Sequence, residues 1–371
     1  GFVFLVVFVA AGILLAETHY AGVPLLRGAG VAAFPILMAI ALLGIIPATN
    51  LNAIRADIIY KQGDPYDKQG QWDVSIAHYK RAISLAPTED FYYLFLGRAY
   101  LEKARATTST APNILNEQTR ADTVLKMSVQ QTAQLSRQDL LISARAVLVR
   151  AREINPLNTD HSANLGRLYR TWADLATTPE QKQQLADKAI EYYRDATTLS
   201  PNNAVLWNEW ATVYIYLQKD LEAAQQKLDR SLALDQKFDQ TYLILGDMYT
   251  SQKQLDKAAE AYEKALGIKP STQARSVLCY IYAQQSRLDE AITCTQKLVE
   301  ATPRDWNAHK NLAVLYAQKG DHAQALASIK TARSLAPQDQ QATLDAYIAQ
   351  LEAQLARPPQ VVITPTQPVT P

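Results

Sequence analysis

A short skeleton of residues recurs seven times along this sequence, and no other feature limits the fold as much. The clearest copy opens at Tyr242-Leu243-Ile244-Leu245-Gly246-Asp247-Met248-Tyr249 and closes with Ala258, Tyr262, Ala265 and Pro270. Gly63 and Tyr66 lead likewise to Tyr79, Ala82 and Pro87. Leu96, Gly97 and Tyr100 lead to Ala144, Leu148, Ala151 and Pro156. Leu165, Gly166 and Tyr169 precede Ala189, Tyr193, Ala196 and Pro201. Trp207, Trp210, Ala211 and Tyr214 precede Ala224, Leu228 and Ser231. Leu278, Cys279 and Tyr282 are followed by Ala291, Leu298 and Pro303. Leu312, Ala313 and Tyr316 are followed by Ala325, Ile329, Ala332 and Pro337. Small residues on a first helix let a second, antiparallel helix approach closely, and aromatics fill the gap to the next unit. Proline cannot continue a helix, so it helps to end each unit. One helix pair cannot bury its apolar face alone, so stability comes from stacking neighbours.

This skeleton resembles the tetratricopeptide repeat family over about residues 56–337. The resemblance implies an all-α solenoid, a right-handed superhelix of about seven helix pairs with a capping helix. It also implies that the first helices line a concave groove. In that register the groove presents Arg98, Arg167, Arg170, Asn208, Asp247, Tyr280 and Lys310. Such side chains can bond an extended peptide or its carboxylate, so a protein or peptide partner is expected. The Lys/Asn pattern of the family's clamp for acidic C-termini is not reproduced, which leaves that ligand doubtful.

Two units depart from the spacing. An insert at about 105–138 separates Tyr100 from Ala144, and a helix is expected within it from Ile114 to Leu135. A smaller insert, at about 173–185, predicts a first helix running on through Trp172 and Leu175. Asp64-Pro65 predicts a kink or a late start in the leading helix. After Pro337, Leu344, Tyr347, Ile348, Leu351 and Leu355 mark one face of an amphipathic capping helix over 338–356. Residues 358–371 are rich in Pro and Thr, and no packed structure is expected there.

The first 50 residues read differently. Residues 1–16 and 28–47 are uncharged and apolar, and the second run has the roughly 20 residues that a membrane helix needs. Two spans in a multi-pass cell-membrane protein are expected, against a signal peptide or two core helices. Gly1 in place of Met predicts a piece of a longer protein. Arg55 and Lys61 against Arg27 tilt the array toward the cytoplasm, but earlier loops can dominate, so its side stays open. The join from Ile45 to Asp57 and the opening repeat from Gln71 to Ala104 resemble membrane proteins of the O-antigen ligase and polymerase superfamily. In that superfamily the glycan-transferring residues lie in a loop between earlier spans. This resemblance carries no catalytic residue onto the present chain. It implies a second reading: the C-terminal part of a glycan-transferring membrane enzyme.

No constellation of catalytic residues stands out. His19, His78, His161, His309 and His322 lack metal-ligand spacing, and no phosphate-binding loop or nucleophile elbow appears. No cofactor or metal is expected. Lys and Arg number 37 against 36 Asp and Glu, so no basic excess points to nucleic acid. Cys279 and Cys294 are read as two buried thiols, with a bridge as the alternative if the array lies outside the cytoplasm.

Overall fold

The computed structural model describes residues 51–109 and 111–356. Both apolar runs before residue 51 and the tail after 357 lie outside the described residues. Among those described, no helix is long and apolar enough to cross a membrane. The chain divides into two compact units, 1–168 and 169–371.

In the first unit, α1 (Asn52–Lys68) packs on α2 (Trp72–Leu85), and α2 on α3 (Asp90–Ala106). The partner of α3 is α6 (Arg137–Ile154), which follows the long insert. α1 runs on through Pro65 and starts on time at Asn52. Pro65 lies within its last turn, so the expected late start does not occur. Close approach explains the glycines: a Cβ on Gly97 would lie 2.5 Å from Leu148 Cγ. Leu148 fills the space so opened, as Tyr79 does against Gly63.

The insert is not one helix. Residues 111–120 are irregular, followed by the short helices α4 (Ala121–Lys126) and α5 (Val129–Ala133). α6 supplies the hydrogen bonds that a helix would have made. The Asp139 carboxylate, fully buried, accepts the backbone N–H groups of Ile114 and Leu115 at 2.8–3.1 Å. Arg145 donates to the carbonyls of Glu117 and Thr119, and Arg137 to that of Thr107. Lys80 donates to the Met127 carbonyl, while Lys103 reaches both Asp73 and the Thr132 carbonyl. Backbone groups satisfied this way have no need of helical partners.

α7 (Thr159–Asp174) contains the boundary between the units. In the second unit come α8 (Pro179–Leu199), α9 (Ala204–Val213), α10 (Leu221–Leu234) and α11 (Asp239–Ser251). Then follow α12 (Leu255–Ile268), α13 (Thr272–Gln284), α14 (Leu288–Ala301), α15 (Trp306–Lys319), α16 (His322–Leu335) and α17 (Gln338–Leu355). α9 pairs with α10, α11 with α12, α13 with α14 and α15 with α16; α17 covers α16. The smaller insert does not lengthen α7. α7 stops at Asp174, and α8 takes the extra residues after the Thr178 cap and Pro179.

Buried side chains form successive clusters. One joins Ala211, Leu228, Leu245 and Met248, and the next joins Tyr262, Leu278, Ile281 and Ile292. The last sets Ala313 and Ile329 against Leu344 and Leu351 of α17. Leu355 is 46% exposed and lies outside that cap. Cys279 and Cys294 are not two thiols. They form a disulfide across the α13/α14 seam, with Cα atoms 5.4 Å apart.

One irregularity matters for the exposed face. Tyr214 and Ala224 are ten residues apart, where Tyr249 and Ala258 are nine. The additional residue is absorbed as a single π-helical turn, Tyr214–Gln218, that closes α9. The turn ends at Lys219 in left-handed backbone, φ 59°, the place taken by Gly320 after α15.

Candidate functional site

The residues expected to line a groove meet different fates. In the first unit, the Arg98 guanidinium is engaged in a structural contact. It pairs with Asp67 at the end of α1 and lies 5.0 Å from the Phe95 ring centre. Arg167, also in the first unit, is half-buried.

In the second unit, Asn208 does not reach the surface. It is 4% exposed, and its amide donates to Thr241 Oγ1 at 2.9 Å. Thr241 in turn meets Ser231 Oγ at 2.9 Å, so the group is a polar rung joining α9, α10 and α11. The spacing that predicts a groove position is right for a first helix, but small neighbours draw the short amide inward. Lys310 is half-buried, with Nζ 5.0 Å from the Trp306 ring centre on its own helix.

Arg170 and Asp247 do share a face, and Tyr216 stands between them. Arg170 on α7 donates to Thr212 Oγ1 on α9 at 2.9 Å. The π-helical turn carries Tyr216 outward, 46% exposed, with its hydroxyl 3.5 Å from Asp247 Oδ2 on α11. That distance is long for an O–H donor, so the hydroxyl is held loosely. The other Asp247 oxygen accepts a short hydrogen bond from Tyr262, which rises from α12 against Gly246. Burial, then the Asp247 charge, raises the Tyr216 phenol, while the Arg170 charge opposes the rise. Tyr262 is also raised, by burial first and then by Asp247. Both phenols therefore stay protonated donors at neutral pH.

On α13, Tyr280 is 62% exposed. Three successive first helices thus present a cation, a loosely held hydroxyl and a carboxylate, with an exposed ring on the next. These are groups that bond and orient. Tyr216 belongs neither to the repeat skeleton nor to the expected groove positions. The ten-residue spacing from Tyr214 to Ala224 is the trace that betrays it.

Among the described residues no group of His, Cys, Asp and Glu is arranged to hold a metal ion. His161 is fully buried, with Nε2 2.6 Å from Asp90 Oδ2 at the start of α3.

Tetratricopeptide repeat family models match residues 280–340, and residues 180–203 with 239–272. The described part is an all-α tetratricopeptide-type array. Residues of this chain are 29% identical over 143 positions to the BBSome complex member BBS4 of Bos taurus, covering 38% of this chain and 27% of that protein. They are 25% identical over 201 positions to the protein O-mannosyl-transferase TMTC1 of Homo sapiens, covering 47% and 23%. The chain therefore spans about a quarter of the length of these relatives. The crystal structure of TTC0263, a thermophilic TPR protein of Thermus thermophilus, matches with TM-score 0.46 at 18% identity. The match covers 62% of this chain and 99% of that one.

Proposed function

We propose that this chain is a holding module, which docks an extended peptide segment of a partner protein on the first-helix face of its second unit. The observation that carries the reading is the line from Arg170 through Tyr216 to Asp247 across α7, α9 and α11. Donor, hydroxyl and acceptor alternate along it, as a peptide backbone and its polar side chains require. Residues 1–16 and 28–47 fix the module to a membrane in this reading, because their length and lack of charge suit a bilayer core. The Cys279–Cys294 bridge favours an oxidising compartment for the array, against the tilt of the Lys/Arg count.

The test is site-specific photocrosslinking from position 280 in intact cells. A discrete crosslinked partner is expected, and Arg170→Glu with Asp247→Asn should cut it severalfold while leaving helicity unchanged. A crosslink indifferent to both substitutions rejects the face. Release of the full chain by alkaline carbonate would reject the anchor. Protease shaving of intact cells decides the side.

A second reading has one observation behind it. A likeness to a protein O-mannosyl-transferase covers 47% of this chain, and the join from Ile45 to Asp57 resembles O-antigen ligases and polymerases. The array would then serve a glycan-transferring membrane enzyme as its partner-recruiting part. Removing the array from residue 51 onward in the parent protein should then weaken transfer to its acceptor while leaving the catalytic spans in place.

A further inference from the structure

In three helix pairs, a glycine on the first helix seats a large side chain from the second. Gly63 lies against Tyr79, Gly97 against Leu148 and Gly246 against Tyr262. The repeat spacing puts Cys279 at the glycine's place in α13, and Thr295 at the large residue's place in α14. Thr295 is 2% exposed, and its hydroxyl returns to the Ala291 carbonyl of its own helix at 2.8 Å. This seam therefore lacks the interdigitating side chain, and the Cys279–Cys294 bridge stands in its place.

Both cysteines are buried, at 6% exposed each, but Cys294 borders an open cleft. A cleft of about 460 Å³ between α12, α13 and α14 has Cys294 in its wall, with Glu263, Arg275, Tyr282 and Lys297 around it. Gly267 borders the same cleft, and a Cβ there would meet nothing within 4 Å. That cleft is the route by which a small reagent would approach the bridge.

We propose that Cys279–Cys294 is a thiol–disulfide exchange site that latches α13 to α14, with a small dithiol as its reductant. One thiolate of the dithiol attacks Cys294 Sγ, and the S–S electron pair leaves on Cys279 Sγ, which takes a proton from water. The second thiolate of the reductant attacks its own sulfur in the mixed disulfide and expels Cys294, which is protonated in turn. The protein gains two electrons and two protons, and the dithiol ends as a disulfide. The open latch loses the contact that the other seams keep through packing. Tyr280 follows Cys279 directly, so the change reaches the exposed first-helix face. The proposal stands whether or not that face binds a peptide.

The experiment is hydrogen exchange on the full chain, oxidised and after treatment with dithiothreitol. Exchange in α13 and α14 is expected to rise about tenfold or more on reduction, with α11 and α16 little changed. Equal exchange in the two states overturns the latch. So does mass spectrometry that finds two free thiols after folding in an oxidising glutathione buffer. Cys279→Gly with Cys294→Ala and Thr295→Tyr rebuilds the packing of the other pairs, and its exchange should ignore dithiothreitol. If that variant fails to fold, the comparison of the natural chain in its two states still decides. Gly267→Leu fills the cleft mouth and should slow reduction by dithiothreitol severalfold. An unchanged rate overturns the exchange site, because the cleft is then not the route.

Discussion

The ring of Tyr262 lies so close to Gly246 that a Cβ added to the glycine would come within 2.8–2.9 Å of three ring atoms. Gly246 is thus the socket of the α11/α12 seam, and Tyr262 anchors its own hydroxyl on Asp247 next door. Seam packing and the exposed polar face are joined through this one ring.

Gly246→Ala should therefore destabilise the array by about 1–3 kcal/mol through overpacking. It should also loosen Asp247 from Tyr262. Gly267→Ala is the control: its Cβ enters open space, and the gain in helix propensity leaves it neutral or slightly stabilising. Urea unfolding of both variants checks this. Equal midpoints would refute the socket.

Asp90 gives the first unit an acid-sensitive contact. Burial pushes its carboxyl up, but hydrogen bonds from Asn158 and His161 outweigh burial and hold it below the ordinary 3.8. A carboxyl lowered on folding stabilises the fold above its unfolded value. That contribution is lost as pH falls through the folded value, here in the range below 3.8. Asp90→Asn should lower stability at pH 6 and flatten the loss between pH 5 and pH 3, in urea midpoints taken across that range. An unaltered pH slope would show that the pair contributes nothing to acid stability.

Asp139 holds the insert to α6. Asp139→Ala removes acceptors for the Ile114 and Leu115 N–H groups and should cost roughly 2–4 kcal/mol. Limited proteolysis should then cut between Thr107 and Arg120 faster than in the natural chain. Resistance in the variant would mean that Arg145 and Arg137 suffice.

How much of the structure is legible in advance varies by element. The helix pairs are, because small residue, aromatic and proline recur at fixed spacing and each acts locally. Asp64-Pro65 predicts a kink or a late start, and the late start does not occur: α1 begins at Asn52 and holds Pro65 within it. The composition of the long insert predicts a helix, but buried Asp139 and half-buried Arg145 of α6 take up backbone groups of its first part. Of the expected groove residues, Arg98 and Asn208 serve internal contacts. Arg170 and Asp247 come together only with Tyr216, which a π-helical turn places there.

The sequence by itself determined the period and the places where helices must approach closely. These follow from spacing along one chain and from volumes that proline, glycine and aromatics impose wherever they stand. Only the tertiary structure decided which polar groups find each other: the Cys279–Cys294 bridge, the Arg98–Asp67 pair, the buried Asn208 and the open line from Arg170 to Asp247. Those partners lie across seams on different helices. Their choice depends on side-chain direction and on competition for hydrogen bonds, which a repeat register does not encode.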